Sequence, residues 1–144
     1  MPLANYTTSV SAARTVAEIE EILAKHGARE VLKNYSEDGI IESLSFIVST
    51  PHGNIGFQLP VNPDAVQKVL SKQPRVPRSL QTHEQAVRIA WRITRDWVRA
   101  QMAYLETEMV KMEQIFLPYM ITPNNRTLYE AMRDKKFYLE EGKP

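Results

Sequence analysis

"IIESLSFIVSTPHGNIGFQLPV", residues 40–61, decides the fold. In its first half Ile40, Leu44, Phe46 and Val48 stand against Ile41, Ser43, Ser45 and Ile47. After TPHGN, Ile55, Phe57, Leu59 and Val61 alternate with Gly56, Gln58 and Pro60. Successive side chains of a strand point to opposite faces, so each half reads as a strand with one apolar face. TPHGN is the turn of a hairpin, with Gly53 relieving backbone strain at its tip.

Working toward the N-terminus, AREVLKNY (28–35) reads as a further strand, joined to the hairpin by the turn SEDG. Three strands linked by tight turns form an antiparallel meander with one face buried. YTTSVS (6–11) is short and rich in β-branched residues, which predicts a fourth strand. Between them, Thr15 and Glu18 have the spacing of a capping box, and Val16, Ile19 and Leu23 mark a buried helical stripe ending at Gly27. Beyond the hairpin, Asn62–Pro63 predicts a helix over 63–72. The fold class is therefore α+β: an antiparallel three- to four-stranded sheet backed by a helix over 15–26, followed by a long helix and a C-terminal helical region. Within 144 residues this gives an α+β portion over 1–72, a basic Pro-containing linker over 73–82 and a helical portion over 83–144. Together they make one compact domain.

The long helix opens at a second capping box, Thr82 with Gln85, and its pattern runs to about Pro118. Unbroken over 83–118 it would be about 54 Å long. A compact domain of this size is only about 38 Å across. The helix must therefore break near 107–112, or overhang the body and pack on another chain. Leu105, Met109, Met112 and Phe116 form an apolar seam that suits either a fold-back over the sheet or a homodimer contact. Thr127 with Glu130 caps a closing helix.

Charge is unevenly placed. Residues 1–71 hold five Lys/Arg against eight Asp/Glu, whereas 72–99 hold Lys72, Arg75, Arg78, Arg88, Arg92, Arg95 and Arg99 against only Glu84 and Asp96. At about 100° per residue, Arg88, Arg92, Arg95 and Arg99 lie within about 60° of one another, opposite Ala86, Ala90, Ile93 and Trp97. Trp91 falls at the border, where an indole either enters the core or presents a face for stacking. Two readings compete. Glu84–Arg88 and Arg92–Asp96 are i,i+4 pairs of the kind that decorate solvated helices. Arginine at all four positions, in a chain that uses lysine freely elsewhere, suits bidentate contact with phosphate. On the second reading Arg88, Arg92, Arg95, Arg99 and Trp91, extended by Arg75 and Arg78, bind nucleic acid.

Reactive groups are sparse. His26, His52 and His83 have no partner at metal-ligand spacing, Glu106 and Glu108 diverge on a helix, and there is no Gly-rich phosphate loop and no G-x-S-x-G elbow. A non-enzymatic protein without cofactor or metal is expected. The absence of cysteine removes thiol chemistry and disulfides. FLPYMITPNNRTLYE supplies a secondary candidate, a loop carrying Tyr119, Asn124, Asn125, Arg126 and Tyr129. MPLANYTTSV lacks the basic start and apolar stretch of a signal peptide, and no apolar run is long enough for a membrane span, so a cytoplasmic setting is expected.

The order helix–strand–strand–strand–helix over 15–72 resembles the topology of double-stranded-RNA-binding domains. Here LPVNPDAVQKV, with Lys68 as its only basic residue, stands where that family has a basic G-x-G-x-x-K-K segment, so the resemblance implies topology and not activity. The run "AVRIAWRITRDWVRAQMAYLETEMVKMEQIFLPYM", followed by "RTLYEAM", resembles small phage and prophage proteins of unassigned function. That resemblance implies a mobile-element setting and the cytoplasm of a bacterial host. The leading expectation is a small nucleic-acid-binding protein, accessory to phage replication or recombination, with single- or double-stranded nucleic acid as partner. The alternative is an inhibitor of a host defence system, acting on a host protein or sequestering a nucleotide signal.

Overall fold

Ser11, not Thr15, begins the first helix. A computed structural model describes residues 1–137; residues 138–144, the end of the expected helical portion, lie outside the described residues. Helix α1 spans Ala12–Lys25, and the Ser11 hydroxyl accepts from the Arg14 backbone N–H at 3.2 Å. The apolar stripe decides this. Thr15 is fully buried beside Val16, Ile19 and Leu23, so the helix has to start a turn earlier than the Thr15/Glu18 spacing suggests.

Strands β1 (Ala28–Tyr35), β2 (Ile41–Thr50) and β3 (Gly53–Gln58) form an antiparallel sheet in the order β1-β2-β3. Phe46 faces Val31 on one side and Phe57 on the other. Near the first turn Asn34 pairs with Ser43 but Tyr35 pairs with Ile41, so β2 carries one extra residue there. A bulge of this kind reverses which face a side chain meets. Ile41 is consequently buried with Leu44, Phe46 and Val48, while Ile40, expected in the core, is exposed. Gly53 turns the β2–β3 hairpin at φ +107°, a conformation costly for any side chain.

The expected fourth strand over 6–11 does not form. Residues 3–8 make turns, with Tyr6 N–H bonded to Leu3 O and Thr8 N–H to Asn5 O. Instead of joining the sheet, this segment is a strap across the long helix, where Leu3 and Tyr6 pack against a second apolar cluster.

Helix α2 (Pro63–Ser71) leads into the segment expected as a linker. That segment is anchored: Val76 is buried with Leu70, Ala86 and Ile89, and Gln81 Nε2 donates to Val76 O. Helix α3 runs His83–Glu106, about 36 Å at 1.5 Å per residue, which fits inside the body. One side of α3 contributes Val87, Trp91, Val98 and Met102 to the main core, and another contributes Ala86 and Ile89 to the second cluster. The element order of double-stranded-RNA-binding domains is present, but α2 packs chiefly on α3.

The chain breaks after Glu106, the first of the two outcomes that the size argument allows. Glu108 adopts φ +63°, and α4 (Met112–Phe116) returns to the core. The apolar seam divides at this break: Met112 and Phe116 are buried, and Met109 is exposed on the turn. Phe116 stands edge-on to Phe46 (5.2 Å between centroids) and to Trp97 (5.5 Å). The chain then runs along β3, Ile121 N–H donating to Gly56 O at 2.8 Å, and α5 (Leu128–Asp134) is the last element among the described residues. The capping box expected at Thr127 and Glu130 is present in both directions. Among the described residues no helix is long and apolar enough to cross a membrane.

Candidate functional site

The face of α3 that carries Arg88, Arg92 and Arg95 is covered by α1. Arg92 Nη1 donates to Glu18 Oε2 at 2.7 Å and lies 3.4 Å from the Thr15 hydroxyl. Arg95 Nη1 approaches the same Glu18 oxygen at 3.4 Å, while its Nε and Nη2 grip Asp96 Oδ1 at 3.0 and 2.8 Å. The side chains of Arg92 and Arg95 are only 13% and 15% exposed. Asp96 in turn accepts from Asn5 Nδ2 at 3.0 Å. Burial alone would raise its pKa; the hydrogen bonds from Asn5 and Arg95, with the charges of Arg95 and Arg92, outweigh burial and hold the carboxyl below its usual range. The i,i+4 pairings expected along the helix are therefore replaced. Asp96 takes Arg95 rather than Arg92, and Arg88 donates from Nε to Gln85 Oε1 at 2.9 Å rather than to Glu84.

Trp91 is completely buried, so its indole is a core side chain and not a stacking platform. Its Nε1 has no hydrogen-bond partner among the described residues. Trp97 is half-buried against Phe116 and Tyr119.

The cations left accessible lie elsewhere. Arg99 is exposed at the far end of the row. Lys68 on α2 and Lys72 at its C-cap, with Arg75 and Arg78 just beyond, are all exposed, and none has an acidic partner among the described residues. No acidic residue occurs between Asp64 and Glu84. Lys68 and Lys72 share a helix face at i,i+4, a signal available in the sequence but masked by the more conspicuous arginine row.

The secondary loop divides. Tyr119 packs into the aromatic cluster, and Arg126 Nη2 binds Asp134 at 2.9 Å. Asn124 is exposed. Asn125, at φ +59°, borders a hollow of about 800 Å³ on the outer sheet face with Leu32, Ser45, Ile47 and Gln58. A second hollow, about 500 Å³, opens between α1, the β1–β2 hairpin and the start of α3, and Arg88 lines it.

The histidines do not converge. His26 Nδ1 meets Ile22 O at 2.7 Å and Nε2 meets Glu106 Oε1 at 2.9 Å. The Glu106 hydrogen bond, then that to Ile22, raises the His26 pKa. His83 lies 3.7 Å from Asp64, and His52 is exposed at a turn tip. Among the described residues no group of His, Asp and Glu side chains is arranged to hold a metal.

No family model, curated protein or solved structure matches this chain.

Proposed function

We propose that this protein is a small non-enzymatic binder of nucleic acid whose phosphate contacts come from Lys68, Lys72, Arg75 and Arg78. The observation that carries the reading is the run of four exposed cations, unpaired among the described residues, in a stretch without a single acidic residue. Phosphate backbones are recognised by such strips through release of condensed counterions. Arg99 adds an accessible charge, whereas Arg92 and Arg95 are occupied in holding α1. Arg75 and Arg78 are exposed, which supports including them, and the base-stacking role falls away with the burial of Trp91. The resemblance to phage and prophage proteins supports a mobile-element setting for such a binder.

Fluorescence anisotropy of labelled single-stranded and duplex DNA, at two salt concentrations, tests the reading. Four neutralised phosphates on a single strand give a slope of log K against log salt of about −3. The variant K68Q/K72Q/R75Q/R78Q should lose most of the binding, and R99Q little of it. Absence of binding at low salt, or equal binding by the quadruple variant, overturns the reading.

A further inference from the structure

Three alanines and a buried glutamine define a second place where this protein can hold a ligand. On α1, Ala12, Ala13 and Ala17 face the β1–β2 hairpin, whereas farther along the same helix Ile19 and Leu23 fill the space against the sheet. Alanine side chains leave the gap between helix and hairpin unfilled. The resulting cleft, about 500 Å³, is floored by these alanines with Val16, Ile41 and Val87. That volume lies in the range of small-molecule sites, roughly 300–1,000 Å³.

The polar side of the cleft is positioned from behind. Gln85 is 2% exposed, and its Nε2 donates to the carbonyls of Tyr6 and Thr8 at 2.9 Å each. Both amide hydrogens being engaged, the orientation of the amide is fixed and its oxygen is left to accept from Arg88 Nε at 2.9 Å. Arg88 is thereby held at the cleft through one nitrogen. Its two terminal nitrogens have no hydrogen-bond partner among the described residues, a pair of donors matched to the two oxygens of one carboxylate.

The other charges on the lining limit what fits. Lys33 is neutralised by Glu20 at 2.6 Å. Glu84, exposed and unpaired among the described residues, sits one helical turn before Arg88. A ligand with one negative charge meets Arg88, and a second negative charge meets Glu84 and is repelled. Nucleotides and diacids are thereby disfavoured, and an apolar body finds the alanine floor.

We propose that this cleft binds a small organic monocarboxylate with an apolar body, anchored at its carboxylate by Arg88, which the buried Gln85 orients. Isothermal titration calorimetry with decanoate tests this, with decylamine and the ten-carbon dicarboxylate sebacate as comparisons. Decanoate should bind, and both comparisons should bind at least tenfold more weakly. R88Q should lose at least tenfold in decanoate affinity, and R88K should recover only part of it because a lysine lacks the fork. A17L fills the floor at an exposed helical position that tolerates leucine, so it should abolish binding while the thermal transition is kept. No decanoate binding, binding of decylamine as strong as that of decanoate, or unchanged affinity in R88Q or A17L overturns the proposal.

Discussion

Glu18 shows how far a single side chain can redirect the reading of a helix face. One of its oxygens serves both Arg92 and Arg95, and the two guanidinium groups are mostly shielded from water. Removing the carboxylate leaves Arg92 poorly solvated beneath α1 without a carboxylate partner among the described residues, and Arg95 with Asp96 alone. E18Q should therefore destabilise the fold by about 1–3 kcal/mol in urea titrations, while R99Q, at an exposed position, changes stability by less than about 0.5 kcal/mol. Stability equal to wild type in E18Q would show that the network holds nothing together. The arginine row was legible in the sequence because helical spacing places Arg88, Arg92, Arg95 and Arg99 on one face. Their partner was not, because Glu18 lies 74 residues from Arg92 in the chain. Periodicity separates a polar face from an apolar one; it does not say whether water or another helix covers the polar face. Trp91 illustrates the same limit from the other side, since a border position on a helical wheel is buried once α1 closes over it.

At the ends of α1 and α3, His26 acts as a clamp whose strength depends on its charge. Only the imidazolium can donate from both ring nitrogens, to Ile22 O and to Glu106. Its pKa is raised on folding, so the clamp's contribution is fully present below the ordinary histidine pKa of about 6.5 and is lost as pH rises through the higher folded value. H26Q should thus lower the melting temperature at pH 6 and leave it nearly unchanged at pH 9. An equal loss at both pH values would assign His26 a packing role only. Element boundaries were legible where the local chemistry was unambiguous, as at Asn62–Pro63 and at the Thr127/Glu130 box. They were misplaced where two signals competed. Thr15 has the spacing of a cap, yet its position on the apolar stripe draws it into the core and leaves Ser11 to cap. The bulge in β2 has no signature of its own, because Ile40 and Ile41 are equally apolar and only the pairing decides which of them is buried.

Across the whole molecule α3 is a spine shared by two apolar clusters, and its length is set by the break that follows it. Glu108 occupies the left-handed region at φ +63°, which is unfavourable for a residue with a Cβ by about 1–2 kcal/mol. E108G should relieve that strain and, after the added flexibility of the unfolded chain is counted, raise stability by about 0.5–1 kcal/mol in thermal or urea unfolding. A loss of stability would mean that the Glu108 side chain itself holds the turn. The break was legible in the sequence as a conflict between helix length and domain diameter. The strap was not, since residues 6–11 have the composition of a strand but pack on α3 instead of pairing with the outer edge of β1.

That strap has a consequence for the order of assembly. The carbonyls of Tyr6 and Thr8 meet Gln85 across 79 and 77 residues of chain. The meander pairs neighbours in sequence, and such contacts form early, whereas closing a loop of this length comes late. The N-terminal segment therefore fastens with the packing of α1 on α3, whose Glu18–Arg92 contact spans 74 residues, and after the meander. Because Gln85 is what it fastens, release of this segment also frees the guanidinium of Arg88 to swing, so the poise of the cleft is governed by residues outside its lining.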